Sequence, residues 1–156
     1  MSAVTYDMLY RHFPWAIANH LPVQLDNGAF LPVREHSTDG GLDLKSPVDC
    51  YIQPGDSAAI DTGVHVQLPP NTTGEVVCKS GLNVNHGLIC SGLIDEGYSG
   101  SIVIKLYNLG KEPYYIKAGD KIAQLVIRPV LYLTPAQVDK IEGGERGDNG
   151  FGSTGR

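Results

Sequence analysis

Apolar and polar residues alternate along this chain in short runs. The pattern is clearest in Ser101–Tyr107, where Ile102, Ile104 and Leu106 fall on one face and Lys105 and Tyr107 on the other. A period of two describes a strand with one side in a core and the other in water. From Leu21 onward similar runs recur, cut by turn chemistry such as Asp26-Asn27-Gly28, Gln53-Pro54-Gly55-Asp56 and Pro69-Pro70-Asn71. Strands are predicted over Val48–Ile52, Val64–Leu68, Gly74–Lys79, Ile102–Tyr107, Tyr114–Ile116 and Lys121–Val130. Helix is confined to short segments at Leu82–Asn85 and Pro135–Lys140, with a turn or two open at Thr5–His12, where Tyr6, Leu9 and Tyr10 share a side. Many short strands at this spacing predict an all-β fold, a jelly-roll-like β-barrel with little helix. Residues 1–20 read as a peripheral extension, 21–142 as the barrel, and 143–156 as a flexible glycine-rich C-terminal tail.

Composition narrows the function classes. A chain of 156 residues holds one domain with a real core. Its net charge of −5 argues against a broad electrostatic footprint on nucleic acid or on an anionic membrane. A phosphate-bearing ligand would have to be met by local donors together with a divalent cation. Cys50, Cys78 and Cys90 are odd in number and lack metal-type or CxxC spacing, so packed thiols in a reducing cytoplasm are expected rather than a disulfide framework. No basic n-region opens the chain, and the apolar patch from Phe13 to Val23 is broken by Pro14, Asn19, His20 and Pro22; no signal peptide or membrane span is expected. His12, His20, His36, His65 and His86 show no i,i+4 pairing and no nearby cysteine, so no zinc site is expected.

Three segments carry chemistry. In the tail, six of the last fourteen residues are glycine, so ordering it costs much backbone entropy and burial returns little. Between the glycines stand Arg146, Phe151, Ser153, Thr154 and Arg156, a set suited to stacking on a flat ring while donating hydrogen bonds to phosphate oxygens. This reads as a lid for a nucleotide. In Gly92–Gly100, Asp95 and Tyr98 stand three residues apart in a glycine-flanked turn, which aims a water-activating carboxylate and a sugar-packing ring into one cleft. By its residues alone the segment reads equally well as an ordinary turn. Cys78-Lys79-Ser80-Gly81-Leu82 ends a predicted strand and opens a short helical turn, bringing backbone N–H groups, a hydroxyl and an ammonium together. A phosphate cradle and a helix N-cap at Ser80 are compatible readings of it.

Taken together, five segments in order resemble the trimeric dUTP pyrophosphatase (dUTPase) family over roughly residues 38–156. They are Gly40-Gly41-Leu42-Asp43-Leu44 with Ile52–Asp56 and Thr62-Gly63-Val64; Lys79-Ser80-Gly81-Leu82; Gly92-Leu93-Ile94-Asp95 through Tyr98 and Gly100, closed by Asn108; Gly119–Leu125; and Arg146-Gly147 through Gly150–Gly155. The resemblance implies hydrolysis of dUTP to dUMP and pyrophosphate, which limits uracil in DNA and supplies dUMP for thymidylate synthesis. Asp95 would be the general base, and Tyr98 would pack against the deoxyribose and exclude ribonucleotides. Uracil would be read by main-chain groups of a hairpin from about Leu88 to Gly92, with Gly92, Leu93 and Ile94 contributing to the substrate site. Lys79, Ser80, Gly81 and Gln124 would contact the phosphates, and Asp43 would support the site. From the tail, Arg146 would meet the terminal phosphate, Phe151 would cover the base, and Gly152, Ser153 and Thr154 would add donors. The family resemblance further implies a homotrimer with sites at subunit interfaces and Mg²⁺ held through phosphates and waters, with no direct protein ligand.

The chain departs from the family pattern at several places. Lys79 stands where an arginine is usual, so a point charge replaces a bidentate guanidinium. Gly97 and Ser99 replace an acid and a base common in the turn, and the segment between His86 and Asp95 is short. Two rivals share the fold. A dCTP deaminase, or its bifunctional relative, would need a separate glutamate base, and neither Glu75 nor Glu96 is a convincing one. A nucleotide-gated protein-binding regulator could use the N-terminal extension, but Asp95 and the tail are intact.

Overall fold

The computed structural model of the protein describes residues 20–142 and Gly144. Thr5–His12 and Trp15, and the tail residues Arg146, Phe151, Gly152, Ser153 and Thr154, lie outside the described residues.

Eleven strands and one helix form among the described residues: β1 (Val23–Leu25), β2 (Leu42–Lys45), β3 (Cys50–Ile52), β4 (Ser57–Asp61), β5 (Val64–Val66), β6 (Thr72–Cys78), α1 (Ser80–His86), β7 (Leu88–Ile89), β8 (Ser91–Ile94), β9 (Val103–Asn108), β10 (Tyr114–Ile116) and β11 (Lys121–Pro129). The turn signals fall where the strands stop. Asp56 N–H donates to Gln53 O at 3.0 Å between β3 and β4, and Ala29 N–H donates to Asp26 O at 3.1 Å after β1. Every pairing is antiparallel. A four-stranded sheet in the order β2-β11-β6-β8 and a three-stranded sheet β4-β9-β7 are flanked by the ribbons β1-β5 and β3-β10. This is an all-β jelly roll, with a single short helix among the described residues.

Alternation decides what goes inside. In β9, Ile104, Leu106 and Asn108 are buried while Val103, Lys105 and Tyr107 are exposed. They meet Leu44, Val76 and Leu125 from the four-stranded sheet, Ile52 and Ile116 from one ribbon, and Val64 and Val66 from the other. Burying each such side chain is worth about 1.5–3 kcal/mol, and the sum holds the sheets face to face. The one wholly buried amide among the described residues, Asn108, is fully used: its Nδ2 donates to Ile52 O and Glu112 O, both at 2.9 Å, and its Oδ1 accepts from Gly110 N–H at 2.9 Å.

Some expectations change. No helix forms at Pro135–Lys140; residues 131–142 run without regular structure, with Leu131, Leu133, Val138 and Ile141 exposed. An isolated six-residue helix with no apolar face to bury does not sustain itself in water. The N-cap of α1 is Lys79 in extended conformation rather than Ser80, and no side chain caps it. Of the three thiols only Cys90 is buried; Cys50 and Cys78 are half-buried.

Candidate active site

The sequence Asp95-Glu96-Gly97-Tyr98 folds as a tight turn between β8 and β9. Tyr98 N–H donates to Asp95 O at 3.1 Å, and Gly97 takes φ +85°, the left-handed conformation required at the third position of a type II turn. The closure puts both ends of the turn on one cleft of about 290 Å³, lined by Leu93, Ile94, Asp95, Tyr98, Ser101 and Val103. Carboxylate and ring therefore share a pocket, with exposed Leu93 and Val103 as its apolar walls. Gly100 makes this possible, because a Cβ there would lie 2.3 Å from the Tyr98 hydroxyl, which instead donates to Ser101 O at 3.1 Å.

Other residues fasten the turn from outside. Glu96 Oε2 accepts from Asn71 N–H at 2.8 Å and from the Tyr132 hydroxyl at 2.7 Å. Ser99 O lies 2.8 Å from His65 Nδ1. Neither Tyr132 nor His65 was marked as part of the site by the sequence, since both contacts join segments more than thirty residues apart.

A second cluster forms around Asp43. On β2, Leu42 and Leu44 face apolar surroundings, yet Asp43 is also buried, at 4% exposure. Three donors close on its carboxylate: Lys79 Nζ at 2.5 Å, Lys121 Nζ at 2.9 Å and Gln124 Nε2 at 3.3 Å. Burial pushes the Asp43 carboxyl upward, but the hydrogen bonds from Lys79, Lys121 and Gln124 outweigh it and hold it below its ordinary value. Lys121 also donates to Glu35 at 2.6 Å; its hydrogen bonds to Glu35 and then to Asp43 raise its ammonium to about 12. Asp43 thus orients Lys79 and Gln124, as a site support would. Lys121 and Glu35 were missed. The available signal was an acid inside an alternating Leu-Asp-Leu run, which demands a buried counter-charge. Ser80 and Gly81 follow Lys79 on the exposed first turn of α1.

The expected hairpin from Leu88 to Gly92 takes another form. β7 pairs with β9 (Leu88↔Asn108), whereas β8 pairs with β6 (Gly92↔Val76), so the chain crosses from one sheet to the other at Cys90 instead of folding back on itself. At the crossing, Cys90 N–H donates to Cys78 Sγ at 2.8 Å and the Cys78 thiol donates to Cys90 O at 3.0 Å. The thiol stands in for ladder bonds just beyond the Val77↔Ser91 end of the β6–β8 pairing. Burial, with the neighbouring Cys78, pushes the Cys90 thiol up to about 12, which makes it inert.

The two clusters are not brought together within one chain. Ile94, next to Asp95, is opposite Gly74, while Lys79 lies five residues further along β6 and its extension. At the rise of a strand this is a separation of about 16 Å.

An all-β jelly roll presenting a carboxylate–tyrosine turn at one end of a sheet and a lysine-rich donor cluster at the other defines a class of nucleotide-handling protein. The dUTPase family model matches residues 28–155, and the chain belongs to the dUTPase family. The deoxyuridine 5'-triphosphate nucleotidohydrolase of Clostridium kluyveri is 44% identical over 85% of this chain and 94% of its own, and the Mus musculus protein of the same name is 38% identical over 86% and 83%. Among solved structures, the dUTPase of Staphylococcus bacteriophage 80alpha with dUpNHpp matches with a TM-score of 0.79 at 33% identity, covering 88% of this chain and 99% of that one. A mutant dUTPase of S. aureus phage phi11, described as coordinating a structural Mg(II) ion, matches with a TM-score of 0.74 at 31% identity over 80% and 100%.

Proposed function

We propose that this protein hydrolyses dUTP to dUMP and pyrophosphate, with Asp95 activating a water for attack on the α-phosphorus. The observation that carries this reading is the shared cleft of Asp95 and Tyr98. In it the carboxylate takes the water's proton while the ring packs against the deoxyribose, where a 2′-hydroxyl would collide with it. Uracil is met by the backbone leading into β8, through Gly92, Leu93 and Ile94. Lys79, Ser80, Gly81 and Gln124 bind phosphate oxygens, and Asp43 holds Lys79 and Gln124 in place for that task. Arg146, Phe151, Gly152, Ser153 and Thr154 close over the nucleotide.

The reading favours more than one copy. A base acting at the α-phosphorus and donors to the adjoining phosphates must lie near one another, and a backbone gap of about 16 Å along β6 supports a site shared between copies. A homotrimer that sets the Asp95 turn of one copy against the Lys79 cluster of the next completes each site. The exposed Leu131, Leu133 and Ile141 support an arm that lies on a neighbouring subunit.

Magnesium fits this arrangement as an ion carried by the substrate. Among the described residues no three His, Cys, Asp or Glu side chains stand together as a cage, and the Asp43 carboxylate is already engaged by three donors. Mg²⁺ held by phosphate oxygens and waters would neutralise charge on the triphosphate. A deaminase reading lacks its base: Glu75 is paired with Arg128 at 2.5 Å, and Glu96 is tied to Asn71 and Tyr132. The unpaired thiols support a reducing, cytoplasmic setting.

Pyrophosphate release from dUTP, UTP, dCTP and dTTP, with and without Mg²⁺, tests the proposal. Turnover of dUTP alone, dependent on Mg²⁺, is expected. No release from dUTP would overturn the proposal, and ammonia from dCTP would favour the deaminase.

A further inference from the structure

We propose that His65 is a positioning residue for the turn that carries Asp95 and Tyr98, and that its proton decides how firmly the turn is held. The inference rests on the dUTP-hydrolysing reading of that turn.

His65 stands on β5, opposite Gln24 of β1, and its ring bridges two segments. Nδ1 lies 2.8 Å from Ser99 O, the carbonyl immediately after Tyr98. Nε2 is enclosed; it lies 3.2 Å from Asp26 Oδ2, close enough for charge attraction but outside good hydrogen-bond geometry. Both facing atoms accept and cannot donate. A neutral imidazole has one N–H and must turn a lone pair toward one of them, whereas the imidazolium offers a proton to each. Only the charged ring satisfies the bridge at both ends.

The surroundings favour that charged state. Among the described residues, the charged groups facing the ring are Asp26, after β1, and Asp61, at the end of β4; the turn itself presents an uncharged carbonyl. The hydrogen bond to Ser99 O, and then the Asp26 carboxylate, raise the ring's proton affinity above that of an ordinary histidine, against the opposing effect of burial. Asp61 serves the same end of the turn by a second route, since its carboxylate accepts from the Ser101 hydroxyl, and Ser101 O receives the Tyr98 hydroxyl. A cleft of about 270 Å³ bordered by Gln24, His65, Gln67 and Ser99 lies beside the bridge, leaving Ser99 room to move when the ring lets go.

The sign follows directly. The hold is complete while His65 is protonated and weakens as pH rises through its folded titration point, raised above the ordinary histidine value, because the neutral ring can donate to Ser99 O only by turning its Nε2 lone pair against the Asp26 carboxylate. His65 therefore supplies an alkaline limb in kcat. The test is the pH profile of kcat and KM for wild type, His65→Ala, His65→Gln and Asp26→Asn, with NMR titration of the His65 ring and the Gly100 amide. Wild-type kcat should fall several-fold, up to about tenfold, with little change in KM, as expected when a reacting group is slightly misplaced. That fall should track the ring's own titration and the Gly100 shift. His65→Ala should sit at the lower level throughout and lack the limb. His65→Gln, an uncharged donor, should recover part of kcat without restoring the limb, and it decides the matter if the alanine variant does not fold. Asp26→Asn should move the ring titration and the limb together to lower pH. A His65→Gln variant that keeps the wild-type limb, or a ring that titrates with no change in kcat and no Gly100 shift, overturns the proposal. If wild type does not cleave dUTP, the functional reading has failed instead, and the Gly100 shift alone decides whether the ring holds the turn.

Discussion

Replacing Asp43 by Asn tests the second cluster most severely. The side chain is 4% exposed and takes Lys79 Nζ at 2.5 Å and Lys121 Nζ at 2.9 Å. Asparagine keeps the shape but removes the charge and turns an NH₂ toward an ammonium. Stripping one partner from a buried ion pair costs about 3–5 kcal/mol, because the remaining charge stays desolvated. Here the lysines are 24% and 33% exposed, and Lys121 retains Glu35 at 2.6 Å, so part of that cost is recovered. We expect a loss of about 2–3 kcal/mol, which for a domain of this size is roughly 4–12 °C in Tm. The loss should depend on pH. The folded carboxyl lies below its ordinary value of 3.8, so its contribution is complete above that value and fades as pH falls through the lower, folded one. Calorimetric melts from pH 3 to 8 should show the wild-type curve steepening at the acid end and the variant curve flatter there. With Lys79 and Gln124 released, KM for dUTP should rise more than kcat falls. A Tm within 2 °C of wild type at neutral pH would refute the reasoning, since it would mean that the two ammoniums lose nothing with their counter-charge.

Three further outcomes are expected. Asp95→Asn should retain the wild-type melting temperature and lose about 10²-fold or more in kcat, the usual contribution of a positioned base; single-turnover kinetics with dUTP reads it. Gly100→Ala places a Cβ where the Tyr98 hydroxyl now lies, 2.3 Å away, so the ring must swing off and the ratio of dUTP to UTP turnover should fall. Asp95→Asn chains mixed with chains cut at Gly144 should regain activity after subunit exchange, because a site combining one copy's Asp95 with another copy's tail would then exist; mixed assemblies that form without recovery would place both in the same subunit.

Alternation made the central strands legible. The faces of β9 and the residue before it were readable because Ile102, Ile104 and Leu106 alternate with Lys105 and Tyr107, and all three are buried, although the pattern alone does not place the exposed Val103. By contrast β4, Ser57-Ala58-Ala59-Ile60-Asp61, carries one large apolar residue and takes its place from its ladder with β9. β1 and β7, of three and two residues, are set by partners distant in sequence and leave no periodic trace. β2 was hidden by Asp43, whose burial depends on lysines 36 and 78 residues away. The turn at Asp95 was readable because glycine and aspartate encode it locally. His65, Glu96 and Tyr132, which hold it, belong to tertiary contacts that no local pattern announces.

The register between β6 and β8 governs function as well as packing. Gly74 opposite Ile94 and Val77 opposite Ser91 set Asp95 at one end of the ribbon and Lys79 at the other. A slip of one residue would carry Ile94 from the core face to solvent and turn its neighbours inward, at a cost the sheet cannot absorb. The spacing between Asp95 and Lys79, the proposed base and phosphate donor, is therefore as rigid as the sheet itself. Bending the sheet does not close the gap, which supports the proposal that the chemistry is completed across an interface. Loss of assembly should then abolish turnover even in a subunit whose own fold, turn and Asp43 cluster remain intact.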